Sequence, residues 1–266
     1  MYDGALTLCS GGASAPRTVD FFLAFEIAYD VTFGWPAAWG SPGALREDLD
    51  FEMEVVPLLF AQLMNPVNFP KFEFIRRVMG LPPQDFVPNG GIFATMFFAT
   101  EAGAELQCRA NGGVAQNLDH VYTLSAADKA FLLSFGLNAD PLLAAMNARR
   151  IPVDPNARNY VEHYADFRGD LTRLVFQMHT AQDSILPVGH MTVYRNTVQQ
   201  AGRLHLLAQA VTNGIGHCNF TPLQLLFAIQ AVDAWLRTGI RPDPATFPTG
   251  LGFLPNFQPP PWPNVP

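Results

Sequence analysis

At 266 residues, of which 49% are apolar and 15% charged, the chain is long enough and apolar enough to bury a large core, which excludes a disordered protein. A net charge of −7 without a Lys/Arg cluster argues against nucleic acid as a partner. No apolar run reaches the roughly 18 residues that a membrane helix needs, so we expect no membrane partner. The first residues also lack the pattern of a signal peptide.

The first predicted element is a strand. Residues 4–9 form a short apolar run, Gly-Ala-Leu-Thr-Leu-Cys, that leads into Ser10, Gly11 and Gly12. Its length and its flanking glycines favour a buried strand over a helix.

A helical region follows. Residues 19–33 are apolar on all sides and rich in aromatic residues, which is typical of a buried or interface helix. Pro57 is expected to kink or divide the next helix. Ser125 and Asp154 stand where N-terminal caps belong. The predicted helices span residues 19–33, 45–64, 69–79, 92–109, 125–135, 140–149 and 154–164.

After Gly169 strands and helices alternate. Strand–helix–strand–helix order implies a right-handed crossover and parallel strands. Strands are predicted at 174–178 and 204–211, and helices at 188–201 and 221–238.

These elements define an α/β fold class with three parts. Residues 1–13 and 165–240 form a small parallel sheet with its helices, residues 14–164 form a helical insertion, and residues 241–266 form a proline-rich tail. The tail is expected to pack on the body because it carries four aromatic residues: Phe247, Phe253, Phe257 and Trp262.

Two polar side chains follow the two carboxy-terminal strands. Asp183 lies just past the first of these strands, and His217 lies just past the second, after a turn-forming Gly216. The carboxyl ends of parallel strands meet at one edge of a sheet, so the pair is expected to lie side by side. A carboxylate that orients an imidazole is one half of a nucleophilic hydrolase site. Taken singly, Asp183 could also cap a helix and His217 could be a buried structural histidine.

The segments around this pair resemble a known superfamily. Two segments look like the acid and histidine segments of α/β-hydrolases, and in particular like those of secreted bacterial serine esterases and polyester hydrolases. They are Gln-Met-His-Thr-Ala-Gln-Asp-Ser-Ile-Leu-Pro at 177–187 and Asn-Gly-Ile-Gly-His-Cys-Asn-Phe-Thr-Pro at 213–222. Residues 2–9 resemble the strand that follows the nucleophile helix. The resemblance implies a partial α/β-hydrolase sheet with a large helical lid insertion, and a secreted location.

The nucleophile is where the sequence departs from that family. No Gly-x-Ser-x-Gly elbow occurs, and the chain looks like the carboxyl portion of a hydrolase. Ser10 is the first candidate, because it follows a strand and precedes two glycines whose N–H groups could bind an oxyanion. Ser184 is expected to bond the backbone instead. Cys218 adjoins His217 too closely in sequence for in-line proton transfer.

The cysteine and histidine positions predict no metal site. Cys9, Cys108 and Cys218 have no metal-ligand spacing. Cys9 and Cys218 both follow strands, so they could pair in a disulfide, or all three could be buried free thiols. His179 is expected to point away from the site. The remaining histidines show no ligand spacing with acids or cysteines: His120, His163, His190 and His205.

The expected function is carboxylic-ester hydrolysis without a cofactor. His217 is the general base, Asp183 its orienting acid, and the nucleophile is Ser10 or a group from outside the chain. Phe33, Trp35 and Trp39 are aromatic enough to line a pocket for a bulky apolar or polymeric ester, although packing of the helical region explains them equally well. The alternatives are a catalytically inactive binding or assembly protein, and a fragment of a longer hydrolase.

The strand at residues 4–9 also predicts a partner. In a complete hydrolase it would have a neighbour on its outer side, and an uncovered strand edge invites pairing with another chain. We therefore expect a homodimer through this edge, or a separate amino-terminal polypeptide that pairs with it.

Overall fold

The computed structural model describes residues 2–11 and 14–259, and these form two compact units. The sheet unit contains residues 2–11, 14 and 167–259, and the helical unit contains residues 15–166.

The sheet unit is built on three parallel strands in the order β1–β4–β5. β1 is Gly4–Leu8, β4 is Leu174–Gln182 and β5 is Leu207–Ile215. In this register Leu8 lies opposite Met178, so β1 ends four residues before β4, and the carboxyl ends of all three parallel strands face the same edge of the sheet. The α/β class and the parallel sheet predicted from the sequence are therefore confirmed.

Two helices connect and flank these strands. α9, His190–Gln200, links β4 to β5, and α10, Pro222–Thr238, follows β5. α10 begins at a capping box, in which the Thr221 hydroxyl accepts the Gln224 N–H and the Gln224 amide oxygen accepts the Thr221 N–H. The apolar core lies between α10 and the sheet and is formed by Phe176, Met178, Ala208, Ala210, Ala228, Trp235, Phe247 and Phe253.

Part of the proline-rich tail belongs to this core. Phe247 and Phe253 are buried and pack edge to face against each other. The tail also bonds to β5, because the Gly252 carbonyl accepts the Asn213 N–H at 2.9 Å and the Leu254 N–H donates to the Val211 carbonyl at 2.9 Å. Residues 260–266, including Trp262, lie outside the described residues.

The helical unit packs around α1, whose residues from 20 to 29 are buried on every side. A short hairpin, β2 (Gly40–Ser41) and β3 (Ala44–Leu45), follows α1. The helices are α1 (Ala15–Phe33), α2 (Val56–Leu63), α3 (Phe69–Val78), α4 (Gly91–Phe98), α5 (Glu101–Ala110), α6 (Ala126–Ser134), α7 (Ala139–Ala148) and α8 (Pro155–Tyr164).

Three predicted helices were wrong in extent. The helix predicted at 19–33 begins four residues earlier, at Ala15. The helix predicted at 45–64 starts only after Asp50, whose side chain accepts the Met53 N–H and caps a π-helical turn that leads into α2. The helix predicted at 92–109 is two helices, because Thr100 leaves helical geometry at φ −129° and ψ −98°. No helix among the described residues is both long and apolar enough to cross a bilayer.

Candidate active site

Three side chains stand at the carboxyl ends of three neighbouring strands. Cys9 follows β1, Asp183 follows β4, and His217 follows β5 after Gly216. Parallel α/β sheets place their sites at this edge, since the loops that leave the strands open into a crevice there. All three residues belong to the sheet unit.

Asp183 and His217 form a hydrogen-bonded pair. The His217 Nδ1 lies 2.8 Å from the Asp183 Oδ2. Asp183 is 1% exposed, and its Oδ1 accepts the Ile185 N–H at 2.9 Å and the Leu186 N–H at 3.0 Å. A carboxylate that accepts two main-chain bonds on one oxygen can face the imidazole with the other. His217 Nδ1 therefore donates to Asp183, which leaves Nε2 as the nitrogen that exchanges protons.

The turn that carries His217 is fixed against β4. The Gly216 N–H donates to the Gln182 carbonyl, and the Thr180 hydroxyl donates to the Gly216 carbonyl at 2.8 Å. Gly216 has a φ of +99°, in the region that favours glycine. At Gly214 a Cβ would lie 2.6 Å from the Asn219 carbonyl oxygen, so a larger residue would displace the turn.

Cys9 places a thiol beside this pair. One ligand atom from each of Cys9, His217 and Cys218 lies within 4.8 Å of the other two. Cys9 is 2% exposed and has a φ of +42°, and Cys218 has a φ of +53°. Left-handed backbone is uncommon for residues other than glycine and concentrates at functional sites.

Both thiols are neutral at neutral pH. Burial is the main cause that raises the pKa of Cys9 well above its ordinary value, and the bond to the Cys218 thiol adds to it. The Thr180 N–H faces the Cys9 sulfur and opposes the rise. Burial also raises the pKa of Cys218. The structure thus contains a protonated thiol next to an imidazole, and both cysteines are free.

His179 lies at the same site, so the expectation that it points away was wrong. A ring nitrogen of His179 lies within 4.8 Å of the Cys9 sulfur and of an Asp183 oxygen. His179 is fully buried, and burial lowers its pKa. Its Nδ1 lies 2.9 Å from the Thr180 carbonyl oxygen, which can only accept, so Nδ1 carries the proton and Nε2 carries the lone pair.

Ser10 is directed toward a polar chain that crosses the sheet. The Gln177 side-chain N–H donates to the Ser10 Oγ at 2.7 Å, and Gln209 donates to the Gln177 Oε1 at 2.6 Å. Gln177 and Gln209 are register partners on β4 and β5. The structure therefore gives Ser10 a defined partner other than the imidazole, and its catalytic role stays a prediction. Gly12, the second glycine of the expected oxyanion site, lies outside the described residues.

The predicted substrate-binding aromatics form a cluster inside the helical unit. Trp35 and Trp39 pack edge to face with centroids 5.3 Å apart, and Phe33 packs on Phe72 at 4.9 Å. Trp39 is buried, whereas Phe33 and Trp35 are half-buried. Their contact with a substrate stays a prediction.

The sequence interpretation did not place Cys9 beside Asp183 and His217. The signal was present in Thr-Leu-Cys-Ser-Gly at residues 7–11, where Cys9 directly follows the strand and Gly11 stands two residues later. A search for Gly-x-Ser-x-Gly overlooks this position because it requires a serine.

A separate cleft of about 460 Å³ opens in the sheet unit and is lined by α9, β5 and the tail. Arg195, Asn196 and Gln209 give it polar walls, and Phe253 and Phe257 give it apolar ones. Cys9, Asp183 and His217 are not part of its described lining.

Comparisons with protein-family models, with curated proteins and with solved structures gave no match for this chain. The relation to α/β-hydrolases therefore rests on the sequence resemblance of residues 2–9, 177–187 and 213–222 and stays a prediction.

Proposed function

We propose that the protein is a carboxylic-ester hydrolase in which Cys9 is the nucleophile, His217 the general base and Asp183 the group that orients it. The observation that carries this proposal is the meeting of a thiol, an imidazole and a carboxylate at the ends of three adjacent parallel strands. A catalytic triad is defined on any fold by a nucleophile that contacts a base and by an acid that orients that base.

Cys9 is a better nucleophile candidate than Ser10 for two structural reasons. Its sulfur lies within 4.8 Å of a His217 ring nitrogen, whereas the Ser10 hydroxyl bonds to Gln177. Its φ of +42° directly after β1 also resembles the strained backbone of the nucleophile in hydrolase elbows. In this proposal β1 presents the nucleophile, whereas the sequence resemblance placed β1 after it.

The reaction proceeds in two transfers. The Cys9 sulfur attacks the ester carbonyl carbon while the His217 Nε2 takes the thiol proton, and the resulting imidazolium is stabilised by Asp183. The tetrahedral intermediate expels the alcohol, which receives that proton, and a thioester remains on Cys9. Water then attacks the thioester with His217 again as base, and the carboxylic acid leaves as the thiol regains its proton.

Because burial keeps the Cys9 thiol protonated, this mechanism needs the imidazole as a base and does not start from a resting thiolate. The main-chain N–H of Ser10, the residue after the nucleophile, is the donor that such an elbow offers to the oxyanion. A bulky apolar ester remains the proposed substrate because Phe33, Trp35 and Trp39 belong to an aromatic cluster of the helical unit. Secretion remains part of the same proposal.

The test compares Cys9→Ala, Ser10→Ala and the unaltered protein on a p-nitrophenyl butyrate assay. We expect Cys9→Ala to lose at least about 10³-fold in kcat and Ser10→Ala to lose less than about tenfold, since removal of a nucleophile removes the covalent path. An acid-quenched reaction should carry the butyryl group on the tryptic peptide that ends at Arg17. The reverse order of the two variants would assign the nucleophile to Ser10.

A second candidate is a binding protein that keeps the pair without turnover. The observation in its favour is the burial of Cys9, which is only 2% exposed. Equal background hydrolysis by the unaltered protein, Cys9→Ala and His217→Ala would support it and reject the enzyme.

A further inference from the structure

We propose that Cys9, Cys218 and His217 form a binding site for Zn²⁺ or a similar thiophilic divalent cation. Their ligand atoms lie within 4.8 Å of one another. Two cysteine sulfurs and one imidazole are a donor set that zinc uses in proteins. The two cysteines are far apart in sequence, so ligand spacing along the chain could not reveal the site.

The geometry needs little rearrangement to accept the ion. With Zn–S bonds of about 2.3 Å and Zn–N bonds of about 2.0 Å, tetrahedral ligands lie about 3.5–3.8 Å apart. The three ligand atoms, already within 4.8 Å of each other, therefore need to approach by no more than about 1.3 Å. Cys9 and Cys218 both sit on short turns after strands, where side-chain rotation can provide that movement.

Asp183 already holds the imidazole as metal sites do. Histidines that bind metals usually donate their other ring N–H to a carboxylate or carbonyl, which fixes the tautomer. The His217 Nδ1 lies 2.8 Å from Asp183, and Asp183 is itself held by two main-chain N–H groups. The nitrogen directed to the metal is then Nε2.

His179 provides an independent indication of a ligand. Its Nε2 is buried and has no hydrogen-bond partner among the residues that the structure describes. A buried unpaired polar atom is costly, and its lone pair is the kind that a metal satisfies. A ring nitrogen of His179 lies within 4.8 Å of the Cys9 sulfur and of an Asp183 oxygen, so we assign His179 as a supporting group that borders the site on the Cys9 side.

Charge balance also favours the ion. Each cysteine must lose its proton to bind, so Zn²⁺ replaces two protons, and the two thiolates with the cation form a neutral set in a buried site. Coordination to the cation also makes the Cys9 sulfur unavailable for attack on an ester. If the proposed esterase activity is correct, zinc therefore inhibits it, and this consequence alone rests on that proposed function.

The test is a Co²⁺ titration of the full-length protein, fully reduced and stripped of metal, followed by displacement with Zn²⁺. We expect one Co²⁺ per chain with a near-ultraviolet sulfur-to-cobalt charge-transfer band. Cys108→Ser is the matched control, because Cys108 is the exposed third cysteine outside the cluster, and it should leave the band unchanged. Cys218→Ser should lose about half of the band and bind Zn²⁺ at least tenfold more weakly.

His179→Gln should keep the band and weaken Zn²⁺ binding by about tenfold or more, within the range seen when a supporting group is lost. The proposal would be wrong if the Co²⁺ spectrum lacked the sulfur-to-cobalt band, or if Cys218→Ser left that band intact. Circular dichroism checks that each variant folds, and a zinc-dependent rise of Tm that Cys218→Ser lacks provides a second readout. Metal binding is measured without substrate, so its failure is distinguishable from a failure to hydrolyse esters.

Discussion

Both units of the protein bury carboxyl groups, but the two settings differ. In the sheet unit Asp183 is bonded to two main-chain N–H groups and to an imidazole that is 36% exposed, so the pair connects the interior to the surface. In the helical unit Asp20 accepts two bonds from the half-buried Arg158, one on each carboxylate oxygen, at 2.7 and 2.9 Å, and the described hydrogen bond of Glu26 comes from the Gly43 N–H at 2.7 Å.

The difference lies in the surroundings of each carboxyl group. The imidazole next to Asp183 is partly exposed, and two main-chain bonds hold the carboxylate in place. The Asp20–Arg158 pair is enclosed, so its contribution is to folding. Glu26 faces no cation in its described hydrogen bonds, and burial raises its pKa to about 8, which makes it a neutral acid under most conditions.

The largest effect should come from Asp183→Asn. Asparagine can still accept the two main-chain bonds, but its amide presents donors to His217 and favours the wrong tautomer, so we expect kcat for p-nitrophenyl butyrate to fall about 10⁴-fold. Asp233→Asn, on the exposed side of α10, is the control and should match the unaltered protein. Activity of Asp183→Asn within tenfold of normal would show that the pair is structural, as Asp20–Arg158 is.

The next effect should come from Asp20→Ala. This change removes the carboxylate from the half-buried Arg158 guanidinium, which keeps its ion pair with Glu162, so we expect a loss of about 1–3 kcal/mol of unfolding free energy. Urea denaturation followed by circular dichroism measures it. Asp20→Asn keeps an oxygen for Arg158 and for the Gln116 N–H and should lose less than Asp20→Ala. Equal losses in the two variants would assign the stabilisation to packing.

Glu26→Gln should have an effect that depends on pH. The pKa of Glu26 is about 8 in the folded chain against an ordinary 4.5, so the folded state holds a proton that the unfolded state releases between these values. The stability of the unaltered protein relative to the variant is therefore complete below about pH 4.5 and falls by about 1.4 kcal/mol per pH unit up to about pH 8. Urea denaturation at pH 5, 7 and 9 tests this trend. A constant difference across the three pH values would show that Glu26 is ionised in the fold.

The smallest effect should come from Asp233→Ala. Its ion pair with Arg237 joins two side chains that are 55% and 71% exposed. Such pairs contribute about 0–1 kcal/mol, so the unfolding free energy should change by less than about 0.5 kcal/mol. A loss comparable to that of Asp20→Ala would contradict the contrast between enclosed and exposed carboxylates.

The sequence predicted the contact between Asp183 and His217 from the order of strands and helices along the chain. Asp183 and His217 were placed correctly because each follows an apolar strand, and parallel strands end at the same edge. The start of β5 was misplaced because Leu204–Leu206 is as apolar as a strand but forms a 3-10 turn. Propensity alone does not separate these two outcomes.

The remaining features depend on contacts between distant residues. The approach of Cys9 to Cys218 results from the β1–β4–β5 order, which no spacing encodes. The ring orientation of His179 follows from its bond to the neighbouring Thr180 carbonyl. The alternation of side chains along a strand predicts only the face of the sheet on which His179 lies. Ser10 was favoured from its neighbours, but the position of Gln177 across the sheet determines where its hydroxyl points.

The two edges of the sheet are unequal. The tail covers β5 through Gly252 and Leu254, whereas β1 is an edge strand among the described residues. A further strand that joined β1 in parallel would end next to Cys9 and would bring a main-chain donor to the thiol. A chain that extended the sheet at β1 would therefore reach the thiol of the proposed nucleophile, and if the proposed activity needs that chain, specific activity should fall on dilution.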